Sequence, residues 1–483
     1  MRIGPLSAHE ALLCAPASAT AGVSASQDKV AATACSQALE ASSAALLWML
    51  IGLGALCDAI SVDEQIGRFL VALCLVDVHE RGGLTAKGVG PAAGKAQKST
   101  FVHTAPHHDD IMLGYLPYVQ RLIREASNDH LFCYATSGFN AVTNTFAAGH
   151  LRAAAKLARS SPGVQALIGN GHFLPDVTAT PFKISALRDV EVDIALEGHA
   201  LRDEELEVEG LRRRMLRIVA CQFYSPDAPP TVEWLAERCE EAAVYYEAQH
   251  AGQKDSSFYQ TLKGMMREFE GDLLWGYNGF RSSDYVRHLR LGFYKGDLFT
   301  ENPEMDRDVV PCLTILEEKK PAIVSVALDP EGSGPDTHYK VLQAVAAACK
   351  LQMEKGSGDR NMRVWGYRNV WYRFHPSEAN LFIPVSLSEH AALCDAFSFS
   401  FISQKTASFP SPDYDGHFSH VSQRIQAEQY RDVRILLGAD YFDKHPDPCM
   451  RAARGLILLH DLSVEEFAQR ARDLHSKAEG SAA

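Results

Sequence analysis

Residues 99–114 read STFVHTAPHHDDIMLG. A short apolar run, Phe101-Val102-His103-Thr104, breaks at Pro106. His107, His108, Asp109 and Asp110 follow in a row, and apolar text resumes at Ile111. Strand, sharp turn and helix is the natural reading. In an open α/β sheet, ligands bind outside the carboxyl ends of the strands. Two imidazoles and two carboxylates at such an end are metal-ligand and acid–base types. Adjacent aspartates repel each other unless a cation or a proton lies between them.

Outward from this stretch, the text alternates. Residues 130–136 (HLFCYAT) read as a second strand, ending in the turn Ser137-Gly138-Phe139-Asn140. Gly138 and Asn140 are therefore candidates for substrate contact at a second carboxyl end. Residues 286–293 read as a strand, as do residues 321–328 (PAIVSVAL), which are of the buried parallel type. That run leads into a polar loop from Asp329 to His338, with Asp336 or Thr337 as the cap of a following helix. Late strands are expected over 363–374 and 380–385, and helices over 115–126, 141–159, 266–277, 305–319 and 387–403. Strands alternating with helices predict an α/β fold: a Rossmann-like, mostly parallel sheet with helices on both faces.

Between residues 160 and 265 strand signals thin out. Helical text over 201–221 and 232–248, separated by Pro-rich breaks, predicts a large helical insertion. Residues 1–95 read as a helical N-terminal extension ending in a Gly/Ala/Lys linker. The α/β domain then occupies 96–159 and 266–483, the second part including C-terminal helices.

Composition bounds the partners. Of 483 residues, 46% are hydrophobic and 22% charged, as in a globular protein. The net charge of −13 argues against nucleic acid as a partner, since phosphate binding needs clustered Lys and Arg. Eleven cysteines, an odd number with no CxxC pair, point to a reducing, cytoplasmic setting. Residues 41–57 are uncharged but at the short limit for a membrane span. With the apolar 62–78 in tandem they read as a packed helical hairpin rather than an anchor. The remaining partner is a small molecule, with self-association left open. Cys133 reads as core, Arg212-Arg213-Arg214 as a solvated helix face, and His417 with His420 as a pair lacking a third ligand.

Loops leaving one edge of a doubly wound sheet converge. His107, Asp110 and His338 then make a ligand set suited to Zn²⁺ or another divalent metal, with a position left open. Consecutive side chains diverge, so Asp109 is better placed as a base than as a ligand. Asp329 and Asp336 are candidates to orient the ligand histidines.

Pro-His-His-Asp-Asp at 106–110 resembles the His-Pro-Asp-Asp signature of the LmbE-like (PIG-L) de-N-acetylases. Arg267-Glu268-Phe269-Glu270 is similar to that family's Arg-x-x-Glu helix, and the loop from Asp329 to His338 to its second metal loop. Text from Val364-Trp365-Gly366-Tyr367 to Ser403-Gln404-Lys405 resembles the de-N-acetylase-like half fused to some glucosamine-6-phosphate deaminase-like proteins. The resemblance spans roughly 99–430 apart from the insertion. It implies a zinc-dependent hydrolase that removes acetyl groups from N-acetylated amino sugars or their conjugates. It assigns His107, Asp110 and His338 to the metal, Asp109 to activating the metal-bound water, and Glu270 to the substrate side. Three positions depart from the pattern: His108 stands for a proline, Ile111 for an acidic residue and Pro335 for a helper histidine. His108 is the candidate to replace that helper as a catalytic group. The alternative is an inactive or weak member acting as a sugar-binding module. A third reading sets the chain beside amino-sugar phosphate metabolism, since residues 1–95 hold no recognisable deaminase site.

Overall fold

A computed structural model describes residues 98–174, 181–223, 231–250, 252–297, 300–329, 336–405, 407 and 416–479, with the side chains of 181–188 left aside. The N-terminal extension, the apolar residues 41–57 and Pro335 lie outside this set.

In chain order the strands and longer helices are β1 (Thr100–Ala105), α1 (Asp110–Leu122), β2 (Asp129–Tyr134), α2 (Asn144–Ser160), α3 (Pro162–Gly169), α4 (Pro181–Leu201), α5 (Glu204–Gln222), α6 (Val232–Ala248) and α7 (Ser257–Tyr277). There follow β3 (Val286–His288), α8 (Val310–Lys319), β4 (Ile323–Ala327), α9 (Asp336–Lys355), β5 (Arg363–Tyr367) and β6 (Leu381–Ser386). The chain closes with α10 (Leu387–Ser400), α11 (Phe418–Leu437), β7 (Ala453–Ser463) and α12 (Val464–Glu479). The seven strands form one sheet in the order β3-β2-β1-β4-β5-β7-β6. The first five are mutually parallel, while β7 runs antiparallel to both its neighbours. The α/β fold with a mostly parallel sheet is therefore as the alternation predicts.

Period-two alternation on β1 sorts its side chains to opposite faces. Val102 joins a core with α8, α9 and α12. Phe101 and Ala105 join the other core, with α1 and α10. A third core is made by α2, α5, α6 and α7. Helix α7 belongs to two of them: Leu262, Met266 and Phe269 pack in the helical layer, and Leu274 and Trp275 pack against the sheet. Trp275 stacks on Phe132 at 3.4 Å and its indole N–H donates to the Tyr134 hydroxyl at 2.7 Å. Burial of one such side chain contributes about 1.5–3 kcal/mol, so α7 ties the helical layer firmly to the sheet.

Helix α1 is broken locally at Tyr115 and carries Pro117. A proline in a helix clashes with the carbonyl four residues back and offers it no N–H. Here that carbonyl belongs to Leu113, and the Ser422 hydroxyl of α11 donates to it at 2.6 Å.

Several expectations are corrected. The strand expected over 286–293 ends at His288, because Arg290 adopts a left-handed backbone (φ 52°) that extended chain cannot accommodate. The helix expected to start at 201 starts at Glu204: Arg202 is left-handed (φ 58°) and Asp203 caps the next turn. The strand expected over 363–374 stops at Tyr367. No strand was expected after residue 385, yet β7 supplies one. Among the described residues, no helix is long and apolar enough to cross a membrane.

Candidate metal centre

Strand β1 lies at the point where sheet order reverses, with β2 on one side and β4 on the other. Loops leave the two parallel neighbours in opposite directions there and open a crevice at their carboxyl ends. His107 and Asp110 come from the β1 end, His338 from the first turn of α9 beyond β4, and Asn369 from just beyond β5.

One ligand atom from each of His107, Asp110 and His338 lies within 4.8 Å of the others. The Asp110 carboxylate is 2% exposed. One oxygen accepts the His107 backbone N–H at 2.6 Å, and the other accepts the Asn369 side-chain amide at 2.5 Å. A carboxylate has further lone pairs on each oxygen, so both bonds orient it without using it up. The Asp329 carboxylate binds His338 Nδ1 at 2.7 Å. His338 Nε2 is buried with no well-formed hydrogen bond, its nearest acceptor an Asp110 oxygen 3.4 Å away. An imidazole held at one nitrogen by a carboxylate, with the other nitrogen buried beside two further ligands, fits a divalent metal.

The electrostatics agree. Burial acts to lower the pKa of His338, but Asp110 and Asp329 on either side win and hold it well above the ordinary imidazole value. Burial acts to raise Asp110, and His338 and His107 hold it well below the usual carboxylate range. A proton therefore stands on His338 where a cation would stand, and metal uptake must displace it. Apparent zinc affinity should rise with pH, by up to about tenfold per unit, and keep rising above ~6.5 where free imidazole is already neutral. Competition titrations against a chromophoric chelator, from about pH 6 to about pH 8, check this. A flat profile would exclude displacement of that proton.

Asp109 is the N-cap residue of α1, but its side chain makes no capping bond. It faces Arg267, whose Nη2 lies 3.5 Å away. Arg267 is 1% exposed and ion-paired to Glu270, which in turn accepts from the Ser403 backbone N–H at 2.6 Å. Glu270 thus sits behind Arg267 rather than beside the metal ligands. Asp336 accepts from the backbone N–H of Thr300 at 2.9 Å and orients no ligand histidine.

His108 is fully buried, with Nε2 3.3 Å from His288 Nδ1, and His288 Nε2 is 3.1 Å from Asp272. Asp272 can only accept, so the chain assigns Nε2–H to both histidines and leaves the His108 Nδ1 lone pair without a partner. Burial first, then His288 and Arg267, push the His108 pKa well below the ordinary value, so it is neutral. Gly138 (φ 60°) closes over this ring: a Cβ there would lie 3.3 Å from His108 Nδ1. Asn140 is exposed and pairs with the Tyr294 hydroxyl, and the Tyr294 ring meets His107 edge-on at 6.1 Å.

Arg214 is buried against Glu191 and Asp272, which corrects the solvated face expected for the arginine run. Burial pushes the Cys133 thiol pKa well up, in keeping with a core residue. The rings of His417 and His420 lie 5.4 Å apart, and the one metal-competent group among the described residues is the triad. Asn369 and Tyr294 are the site-lining residues that residue-type reasoning missed, and Arg267 entered only through the Arg-x-x-Glu likeness.

No known family profile matches the chain. Over 159 residues it is 30% identical to a glucosamine-6-phosphate deaminase-like protein of Bacteroides thetaiotaomicron. The match takes in 32% of this chain and 23% of that protein's length.

Proposed function

We propose that the protein is a metal-dependent de-N-acetylase acting on an N-acetylated amino sugar or its conjugate, in a cytoplasmic setting. The observation that carries this is the buried His338 Nε2 without a well-formed hydrogen bond, clustered within 4.8 Å of ligand atoms of His107 and Asp110, next in sequence to Asp109, whose carboxylate makes no capping bond. The sequence likeness to LmbE-like de-N-acetylases, and the similarity to a protein named for an amino-sugar phosphate, support the substrate class.

His107, Asp110 and His338 would hold the cation, zinc by the mix of nitrogen and carboxylate oxygen. Bound there, it supplies Lewis acidity to an acetyl carbonyl. Asp109 takes a proton from the attacking water at its carboxylate, and Arg267 keeps that carboxylate turned to the crevice. Water adds to the acetyl carbon, the C–N bond breaks, and the proton held by Asp109 passes to the leaving nitrogen. The products are acetate and the free amine. Gly138 and Asn140 border the substrate side. His108 and Glu270 act by position, the first packed under the Gly138 turn and the second fixing Arg267.

The burial of His108 favours a second reading, a metal-holding sugar-binding module, because the residue offered in place of the missing helper is committed to His288. Acetate release separates the two. Zinc-loaded protein should release acetate from N-acetylglucosamine or its glycosides, lose this on chelation and regain it with metal. Loaded protein that is inert across a panel of acetylated sugars would leave only the binding module.

A further inference from the structure

Three side chains tie the helical insertion to the candidate site. Arg214 belongs to α5 of the insertion, Asp272 to α7, and His288 ends β3. Arg214 Nη1 donates to Asp272 Oδ2 at 3.1 Å, while His288 Nε2 stands 3.1 Å from the other oxygen, Oδ1. His288 Nδ1 in turn lies 3.3 Å from His108 Nε2. Arg214 and Asp272 are 3% and 0% exposed, so bulk water cannot stand in for a lost partner. Charge is balanced around them: Glu191 of α4 faces Arg214 at 3.4 Å and Arg217 at 2.6 Å.

The order of donors is forced from the insertion end. A guanidinium only donates and a carboxylate only accepts. Each imidazole then carries its proton on Nε2, and the series ends on the His108 Nδ1 lone pair. That lone pair and the Nε–H of Arg267 are both buried without a hydrogen-bond partner among the described residues. They lie under the same turn: a Cβ on Gly138 would stand 3.3 Å from His108 Nδ1 and 3.7 Å from Arg267 Nε. An acceptor and a donor are complementary there. The opposite tautomer of His108 would set two N–H donors against each other in one buried spot. Arg267 is the group that faces Asp109.

We infer that Asp272 is a positioning residue: with Arg214 it sets the tautomers of His288 and His108, and so keeps a lone pair on the Arg267 side of the His108 ring. The insertion is thereby part of the framework of the site. The consequence for rate rests on the de-N-acetylase reading, while the tautomers do not. The test uses the full chain carrying Asp272→Asn, which keeps the shape of the aspartate. Arg214 can only donate, so it draws the amide oxygen and leaves the amide N–H groups towards His288. Both imidazoles should then switch to Nδ1–H. Removing Arg214 as well lets the amide turn, so Arg214→Met with Asp272→Asn should regain Nε2–H on both rings, which a mere loss of packing would not do. Arg217 keeps Glu191 paired in that protein. ¹⁵N spectra of histidine-labelled protein, with signals assigned by their loss in His108→Gln and His288→Gln, read the tautomers. A wrong tautomer costs about 10⁴-fold where the histidine is itself the base. Here it acts through Arg267, so kcat for acetate release should fall at least about tenfold in Asp272→Asn, with KM within about threefold, and recover in the double variant. Nδ1–H on His108 in the wild-type spectrum would overturn the proposal without any variant, as would tautomers that Asp272→Asn leaves in place. Tautomers that reverse and return as stated, in a protein releasing no acetate, keep the positioning and sink the de-N-acetylase reading. Acetate release indifferent to a demonstrated reversal keeps that reading and sinks the role of Asp272.

Discussion

Asp110→Ala should purify without metal, where the wild-type protein is expected to carry one divalent ion per chain. Asp110 is the anionic member of the triad, and its removal strikes three neighbours together. The His107 backbone N–H and the Asn369 amide lose their acceptor. His338 loses one of the two carboxylates that flank it. Each buried donor left unpaired costs about 1–3 kcal/mol, so some loss of stability accompanies the loss of metal. Asp110→Asn keeps the shape and separates the two effects. Second-sphere changes alone cost metal sites about 10–100-fold in affinity, so loss of a ligand charge should cost at least about 100-fold. Metal content by elemental analysis, beside circular dichroism and thermal melting, reads both variants. One ion retained per folded Asp110→Ala chain would rule out the triad as the metal centre.

Asp109→Asn is the complementary experiment: metal retained, acetate release reduced by about 10²–10⁴-fold, the usual contribution of a positioned base. The amide keeps the size of the carboxylate but cannot take a proton. It also leaves Arg267 facing a neutral group, while the Glu270 pair still holds that guanidinium in place. Activity within about tenfold of wild type would remove Asp109 from the proton transfer. Metal content that falls with activity would place it among the ligands instead.

The triad was legible because its chemistry is written in short range: a strand, a proline and a row of His and Asp, with a second polar loop after PAIVSVAL. Parallel topology then brings the two loops to one edge with no further information. The partners that orient the ligands were only half legible. Asp329 could be named because it lies in the same loop as His338. Asn369 could not, because nothing in an asparagine two residues past a strand says which carboxylate it will meet. His108 and Glu270 are a different case. Both have residue types that suit a cleft, and burial against His288 and Arg267 sets them behind it. Strand β7 was missed for a different reason. An apolar run flanked by helical text does not disclose that it will turn back against β5, since that pairing is settled by open sheet edges distant in sequence.

The placement of β7 also sets an order of assembly. Strand β6 pairs with β7 and does not touch β5, so it has no place in the sheet until β7 arrives between them. On the ribosome, at about 5–20 residues per second, β6 waits several seconds with bare hydrogen-bonding edges while α10, α11 and the segment after them are made. The edge that carries the candidate metal ligands is complete in sequence once Asn369 has emerged, so the nascent chain can present the triad on a half-built sheet. Closure of the far edge is then the late, aggregation-exposed step of its synthesis.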